Sequence, residues 1–159
     1  MFHIVLVEPT IPQNTGNIAR SCAITGTMLH LVGPLGFSVD DKYLRRAGLD
    51  YWDKMQVCIY ENFSAFLQEN RPDEKKVCLY TTKATRRYSD VTYEDGSYLV
   101  FGSETSGLKA EIHEMFYDNR LTIPMRSNPE LRSLNLSNAA AIVLYEALRQ
   151  HNFAELDEK

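Results

Sequence analysis

Apolar residues fall in short runs along this chain, and polar, glycine- and proline-rich stretches separate them. Runs with strand character lie at 2–7, 28–32, 55–60, 76–80, 97–101 and 120–124. Between most of them the spacing lengthens to the three-and-four rhythm of amphipathic helices. Residues 15–26 put Ile18, Cys22 and Ala23 on one face, 62–70 group Phe63, Phe66 and Leu67, and 109–116 group Ile112, Met115 and Phe116. Residues 40–48 carry a basic stripe. The clearest helix is 136–151, where Ala139, Ala140, Val143, Leu144, Ala147 and Leu148 recur. Strands alternating with helices predict an α/β fold around a mostly parallel sheet flanked by helices.

In such sheets ligands gather at the carboxyl ends of the strands, so three loops after strands draw attention. The first follows Val7, breaks at Glu8-Pro9 and runs through Asn14, Thr15, Gly16 and Asn17 into a helix carrying Arg20 about one turn in. Free N–H groups at that helix mouth, with an arginine beside them, predict a seat for an anion. The second, 101–108, brackets Ser103, Glu104, Thr105 and Ser106 between Gly102 and Gly107. It reads either as a ligand loop or as a plain turn with Ser106 capping the next helix. The third, 124–138, is polar but holds Leu131, Leu134 and Leu136. Its pattern predicts a folded loop with buried leucines, exposing Ser133, Asn135 and Asn138. Ser137 and Asn138 stand where a helix N-cap belongs, whereas Asn135 has no such simple structural explanation.

Length and composition limit the function classes. A chain of 159 residues, 44% hydrophobic and 24% charged, suits one globular domain spanning 1–159. Apolar runs stay far below the ~20 residues that cross a bilayer, and the start lacks a signal-peptide pattern. Cys22, Cys58 and Cys78 are scattered, which fits free thiols in a reducing cytoplasm. Cys22 reads as core. The four histidines are isolated from one another and from the cysteines, so no metal site is expected. The net charge of −4 argues against a generic polyanion binder, but Lys42, Arg45, Arg46 and Lys83, Arg86, Arg87 form local basic clusters.

Four separated stretches then carry a resemblance. They are Glu8-Pro-x-Ile-Pro-x-Asn-Thr-Gly-Asn-Ile-x-Arg20, Asp41-Lys-x-Leu-Arg-Arg-Ala-Gly-Leu-Asp-Tyr51, Phe101-Gly-x-Glu-Thr-x-Gly-Leu108, and Ile123-Pro-Met125 with Ser133-x-Asn-Leu-Ser-Asn138. In this order, over nearly the whole chain, they resemble the SPOUT superfamily of RNA methyltransferases, and within it the small tRNA 2'-O-methyltransferases of the TrmL (YibK-like) group. The resemblance implies a C-terminal deep trefoil knot, a homodimer, and S-adenosylmethionine held by Tyr80, Gly102, Ile123, Ser133 and Leu134, largely through backbone groups. It implies catalytic roles for Arg20, Glu104 and Asn135. It also implies RNA contacts by Asn14, Asn17, Lys42, Arg45, Arg46, Lys83 and Arg86. The implied substrate is the tRNA anticodon stem-loop, methylated on the ribose of nucleotide 34 when that is cytidine or a modified uridine. A methyl already activated by a sulfonium needs no metal, only an aligned 2'-oxygen that loses its proton. Arginine is a poor base, so Arg20 is either strongly activated by its neighbours or an orienting group.

Overall fold

The structure, a computed structural model, describes residues 1–40, 42–44, 46, 52, 54–154 and 156. Six strands form one sheet: β1 (His3–Val7), β2 (Met28–Val32), β3 (Val57–Tyr60), β4 (Val77–Tyr80), β5 (Tyr98–Phe101) and β6 (Arg120–Leu121). Their order is β3-β2-β1-β5-β4-β6 and every pair is parallel. The chain moves outward from β1 to β3, then crosses to lay down β4, inserts β5 between β4 and β1, and ends on β6. Leu6 therefore faces Leu31 on one side and Phe101 on the other.

The strands are short, apolar runs because both sheet faces are covered. Alternate side chains go to opposite faces. Ile4, Leu6, Leu29, Leu31, Leu99 and Phe101 meet helices α1 (Pro12–Thr25) and the last helix, through Ile18, Cys22, Val143, Leu144 and Ala147. Val5, Val7, Val32, Leu79 and Val100 meet α2 (Phe63–Asn70) and α3 (Ala110–Met115), through Phe66, Ile112 and Phe116. The last helix, α4 (Leu136–Gln150), lies beside α1. Its buried face holds the residues its periodicity singled out, save Ala139, which is half-buried. Cys22 is fully buried, and burial pushes its thiol pKa far up, as a core cysteine requires.

Several boundaries differ from the sequence pattern. Helix α1 starts at Pro12, not near residue 15: proline fits the first helical position because it has no N–H to satisfy there. Asn14 to Asn17 are therefore helical, and Arg20 is the ninth helical residue. Strand β6 stops at Leu121, with a single further bridge from Thr122 to Arg87. Most of 40–51, with Arg45, lies outside the described residues. No helix among the described residues is long and apolar enough to cross a membrane.

Candidate active site

A cavity of about 880 Å³ opens at the carboxyl ends of β4, β5 and β6. Three loops and parts of three helices wall it: Tyr80–Lys83, Phe101–Leu108, Thr122, Ile123 and Met125, Arg132–Leu136 with Ala139, Ile11 with Asn14, and His113 of α3. Strand order causes this convergence. Inserting β5 beside β1 brings Glu104 against the start of α1, over 90 residues away in sequence.

Glu104 is the keystone of that contact. One carboxylate oxygen accepts from Thr10 N at 2.8 Å and Thr10 Oγ1 at 2.9 Å. The other accepts from Ile11 N at 3.2 Å and Asn14 Nδ2 at 3.3 Å. Ile11, the N-cap of α1, offers no side-chain cap, and the first turn has no acidic residue. Glu104 supplies both the acceptors and the negative charge that a helix N-terminus favours. The seat expected for an external anion is thus filled by the chain's own carboxylate. Ser106 does not cap α3, whose N-cap is Lys109 with no side-chain cap.

Asn135 also has a structural duty that the sequence pattern hid. It is the N-cap of α4: its Oδ1 accepts from Ser137 N at 2.8 Å and Ser137 Oγ at 2.6 Å. The cap therefore stands before Ser137 and Asn138, because Leu136 already has helical geometry. The other end of its amide donates to Asn14 Oδ1 at 2.9 Å. Asn14 is only 5% exposed. It is a bridge inside the site, with its amide already engaged at both ends.

All five residues expected at the cofactor line the cavity: Tyr80, Gly102, Ile123, Ser133 and Leu134. Tyr80 turns its ring into the core, stacked on Phe101 at 4.7 Å and donating to Tyr93 Oη at 3.0 Å. Burial, first among the causes, holds its hydroxyl pKa well up. Only its backbone is offered to a ligand. Gly102 cannot be replaced without movement, since an added Cβ would lie 2.3 Å from the Gly107 carbonyl carbon. Ser103 and Gly107 close the loop by exchanging backbone hydrogen bonds, with Gly107 at φ +67°. Of the third loop's leucines, Leu136 is half-buried against the core, but Leu131 is 63% and Leu134 38% exposed. Among the described residues no sheet or helix covers Leu131 or Leu134, and Leu134 instead lines the cavity.

Lys83 lines the cavity too. Arg20, Asn17, Lys42, Arg46 and Arg86 are exposed and stand outside its lining. Arg20 lies six residues beyond Asn14, roughly 9 Å further along α1. His113, Thr81 and Thr82 also line the cavity and were not singled out by the sequence; His113 sits in what reads as an ordinary amphipathic helix, with no local signal. No cluster of three potential metal ligands occurs among the described residues.

The model of the SpoU rRNA methylase family matches residues 1–145. The chain belongs to that family. Among its relatives, this SpoU-family chain is 52% identical over 155 residues to a tRNA (cytidine(34)-2'-O)-methyltransferase of Saccharophagus degradans, covering 97% of this chain and 98% of that one. It is 48% identical over 154 residues to a Burkholderia cenocepacia protein of the same name, covering 96% and 97%. A solved structure concerned with 2-OH methylation of C/U34 on tRNA superposes with a TM-score of 0.88 at 40% identity, covering 96% of this chain and 97% of that chain. The SpoU methyltransferase AviRb of Streptomyces viridochromogenes, solved with AdoMet, shares the fold with a TM-score of 0.82 at 24% identity. That match covers 94% of this chain and 57% of AviRb.

Proposed function

We propose that this SpoU-family chain transfers a methyl group from S-adenosylmethionine to the ribose 2'-hydroxyl of nucleotide 34, cytidine or a modified uridine, in tRNA anticodon loops. One observation carries the reading. Five residues from separate loops, Tyr80, Gly102, Ile123, Ser133 and Leu134, line a single cavity bordered by the Glu104–Asn14–Asn135 network. The names of the relatives supply the substrate.

The lining suits an adenosyl cofactor. Ile123, Met125 and Leu134 offer apolar walls for a planar base, while the turns at Tyr80 and Gly102 offer backbone groups. When bound, S-adenosylmethionine supplies a methyl group made electrophilic by its sulfonium. The protein's part is positioning. Glu104 locks the start of α1 to the second loop, and Asn135 locks the start of α4 to α1. Arg20 is the group we assign to the 2'-hydroxyl and its neighbouring phosphate. A guanidinium donates in a fixed fork, so alignment is the role it fills without giving up its charge. Lys83, Arg86, Lys42, Arg45, Arg46 and Asn17 are assigned to the RNA backbone, with unstacked loop bases read nearby.

Arg20 stands outside the cavity lining of the single chain, and we infer that a second copy completes the site. Gln13, Asn17, Arg20 and Ile24 form one exposed stripe on α1, and Asn138, Ile142 and Tyr145 form another on α4. Ile24 at 58% exposure and Tyr145 at 43% are apolar surface that a homodimer would bury. We further infer a deep trefoil knot in one domain spanning the chain. Segment 81–97 holds Thr122 between the backbones of Arg86 and Tyr88, at 2.8 and 2.9 Å. The same segment clasps the end of α4 through Gln150, which bonds Tyr93 N and Val91 O, each at 2.9 Å. Unpaired thiols at Cys22, Cys58 and Cys78 fit a cytoplasmic setting.

The test is incubation with methyl-labelled S-adenosylmethionine and, in parallel, bulk tRNA and ribosomal RNA, followed by mapping of the labelled ribose. Label at nucleotide 34 is the expected result. Label at another tRNA position rejects the wobble assignment. Label in ribosomal RNA alone favours the second reading, which the family's description as rRNA methylases suggests. Cofactor binding without transfer to any RNA makes the chain a binding protein.

A further inference from the structure

One side chain in the cavity wall has no structural employment. His113, on α3, is 8% exposed and lines the cavity. Its Nδ1 is sealed from solvent and has no hydrogen-bond partner. An orphan lone pair is tolerated better in a protein interior than an orphan N–H. The proton therefore belongs on Nε2, which makes the nitrogen left to the cavity a donor. Burial, then the charges of Lys83 and Arg120, lower the pKa of this imidazole, so the ring is neutral near pH 7.

Strand order fixes which part of a ligand would lie beside it. The cavity runs across the ends of β5, β4 and β6, with the start of α1, after β1, at its near edge. In its Lys83–His113–Thr122 corner, Lys83 follows β4, two strand spacings or about 10 Å from β1, and Thr122 follows β6, one spacing further. Asn14 and Asn135 stand at the β1 end, with Arg20 further along the same helix. With the reacting methyl at that end, the far corner takes the part of S-adenosylmethionine most distant from its sulfonium, the adenine. The α-carboxylate, a shorter reach from sulfur, stays nearer the 102–108 loop. Met125 and Leu134, joined by a 3.4 Å contact from Leu134 N to Met125 Sδ, supply apolar walls to the cavity.

We propose that His113 reads the adenine edge of the cofactor, its Nε2–H donating to a ring nitrogen of the base. The proposal rests on the S-adenosylmethionine reading above. Its test is titration calorimetry with S-adenosylhomocysteine and with 5'-methylthioadenosine, which keeps the adenosyl part and lacks the amino-acid part. His113→Leu should weaken both ligands by about two- to tenfold, the worth of one neutral hydrogen bond. Its thermal midpoint should not fall, because leucine removes an unsatisfied buried atom. His113→Gln, which keeps an N–H donor, should recover part of the affinity. Wild-type affinity of the Leu variant for both ligands overturns the proposal, as does equal loss in the Leu and Gln variants. Weakening of S-adenosylhomocysteine alone overturns it too, since the imidazole would then serve the amino-acid end. Failure of the wild-type protein to bind S-adenosylhomocysteine would instead sink the cofactor reading itself.

Discussion

Asn135 donates its side-chain amide to Oδ1 of Asn14 at 2.9 Å, tying the cap of the last helix to the first turn of the first across 121 positions. Asn14 passes the link on to Glu104 at 3.3 Å. Three chain segments that border the cavity are held in register by three side chains.

Asn14→Ala should leave Asn135 Nδ2 and one Glu104 oxygen short of a partner, costing about 1–3 kcal/mol of stability. Asn14→Asp should cost more, since it sets a second carboxylate against Glu104. Adding Glu104→Gln to Asn14→Asp should restore part of the loss by supplying a donor. Thermal denaturation, run beside labelled methyl transfer, checks all three variants. Recovery absent from the double variant would mean that the pair is not coupled.

Arg20→Ala should abolish methyl transfer and leave cofactor affinity within about twofold, because Arg20 is exposed and outside the cavity lining. Calorimetry and single-turnover transfer separate the two quantities. Parallel loss of both would make Arg20 a structural residue.

Gly102→Ala drives a methyl into the Gly107–Leu108 backbone, 2.3 Å and 2.4 Å from its nearest atoms. The loop must shift, at about 1–3 kcal/mol, as overpacking does. Affinity for S-adenosylhomocysteine should fall at least as steeply as stability. A variant with wild-type affinity would show that the 102–108 loop does not shape the ligand site.

The sheet face under α2 carries a hydrogen-bonded chain from His3 Nδ1 to His30 Nε2, and from His30 Nδ1 to Tyr60 Oη, each at 2.9 Å. Burial, with His3 beside it, lowers the pKa of fully buried His30 to about 4. The unfolded chain, with a histidine pKa near the ordinary 6.5, binds the proton more readily. Stability is therefore complete above about pH 6.5 and is lost as pH falls towards 4, by roughly 3 kcal/mol. Urea denaturation across pH 4–7 should show that slope. His30→Phe should flatten it.

A homodimer closing on α1 and α4 predicts that Tyr145→Asp shifts the protein to monomer in sedimentation velocity and suppresses transfer, with little change in fold because Tyr145 is 43% exposed. Unchanged sedimentation of a wild-type dimer would move the interface elsewhere. A fully active wild-type monomer at assay concentration would end the dimer reading.

Much of the fold was legible because its signals are local. Val143, Leu144, Ala147 and Leu148 recur with helical spacing, and they are the buried face of α4. Val5 and Leu6 point to opposite sheet faces, as a period of two dictates. The five residues that the resemblance assigns to the cofactor come from separate loops, and all five line one cavity. The start of α1 was misjudged because Ile11 is an unusual cap whose acceptor comes from Glu104. The spacing of Leu131 matches that of its neighbours, yet it is 63% exposed, with no covering element among the described residues.

The sequence by itself determined the strands, the helices and the faces they bury, since periods of two and of 3.6 residues are written in neighbouring positions. Tertiary structure decided how the site is wired. Which loops meet depends on strand order, and strand order follows from burying both faces of the whole sheet at once. Setting β5 beside β1 turned Glu104 into the cap of a distant helix and Asn14 into a bridge. It also left His113 facing a cavity that no stretch of sequence describes.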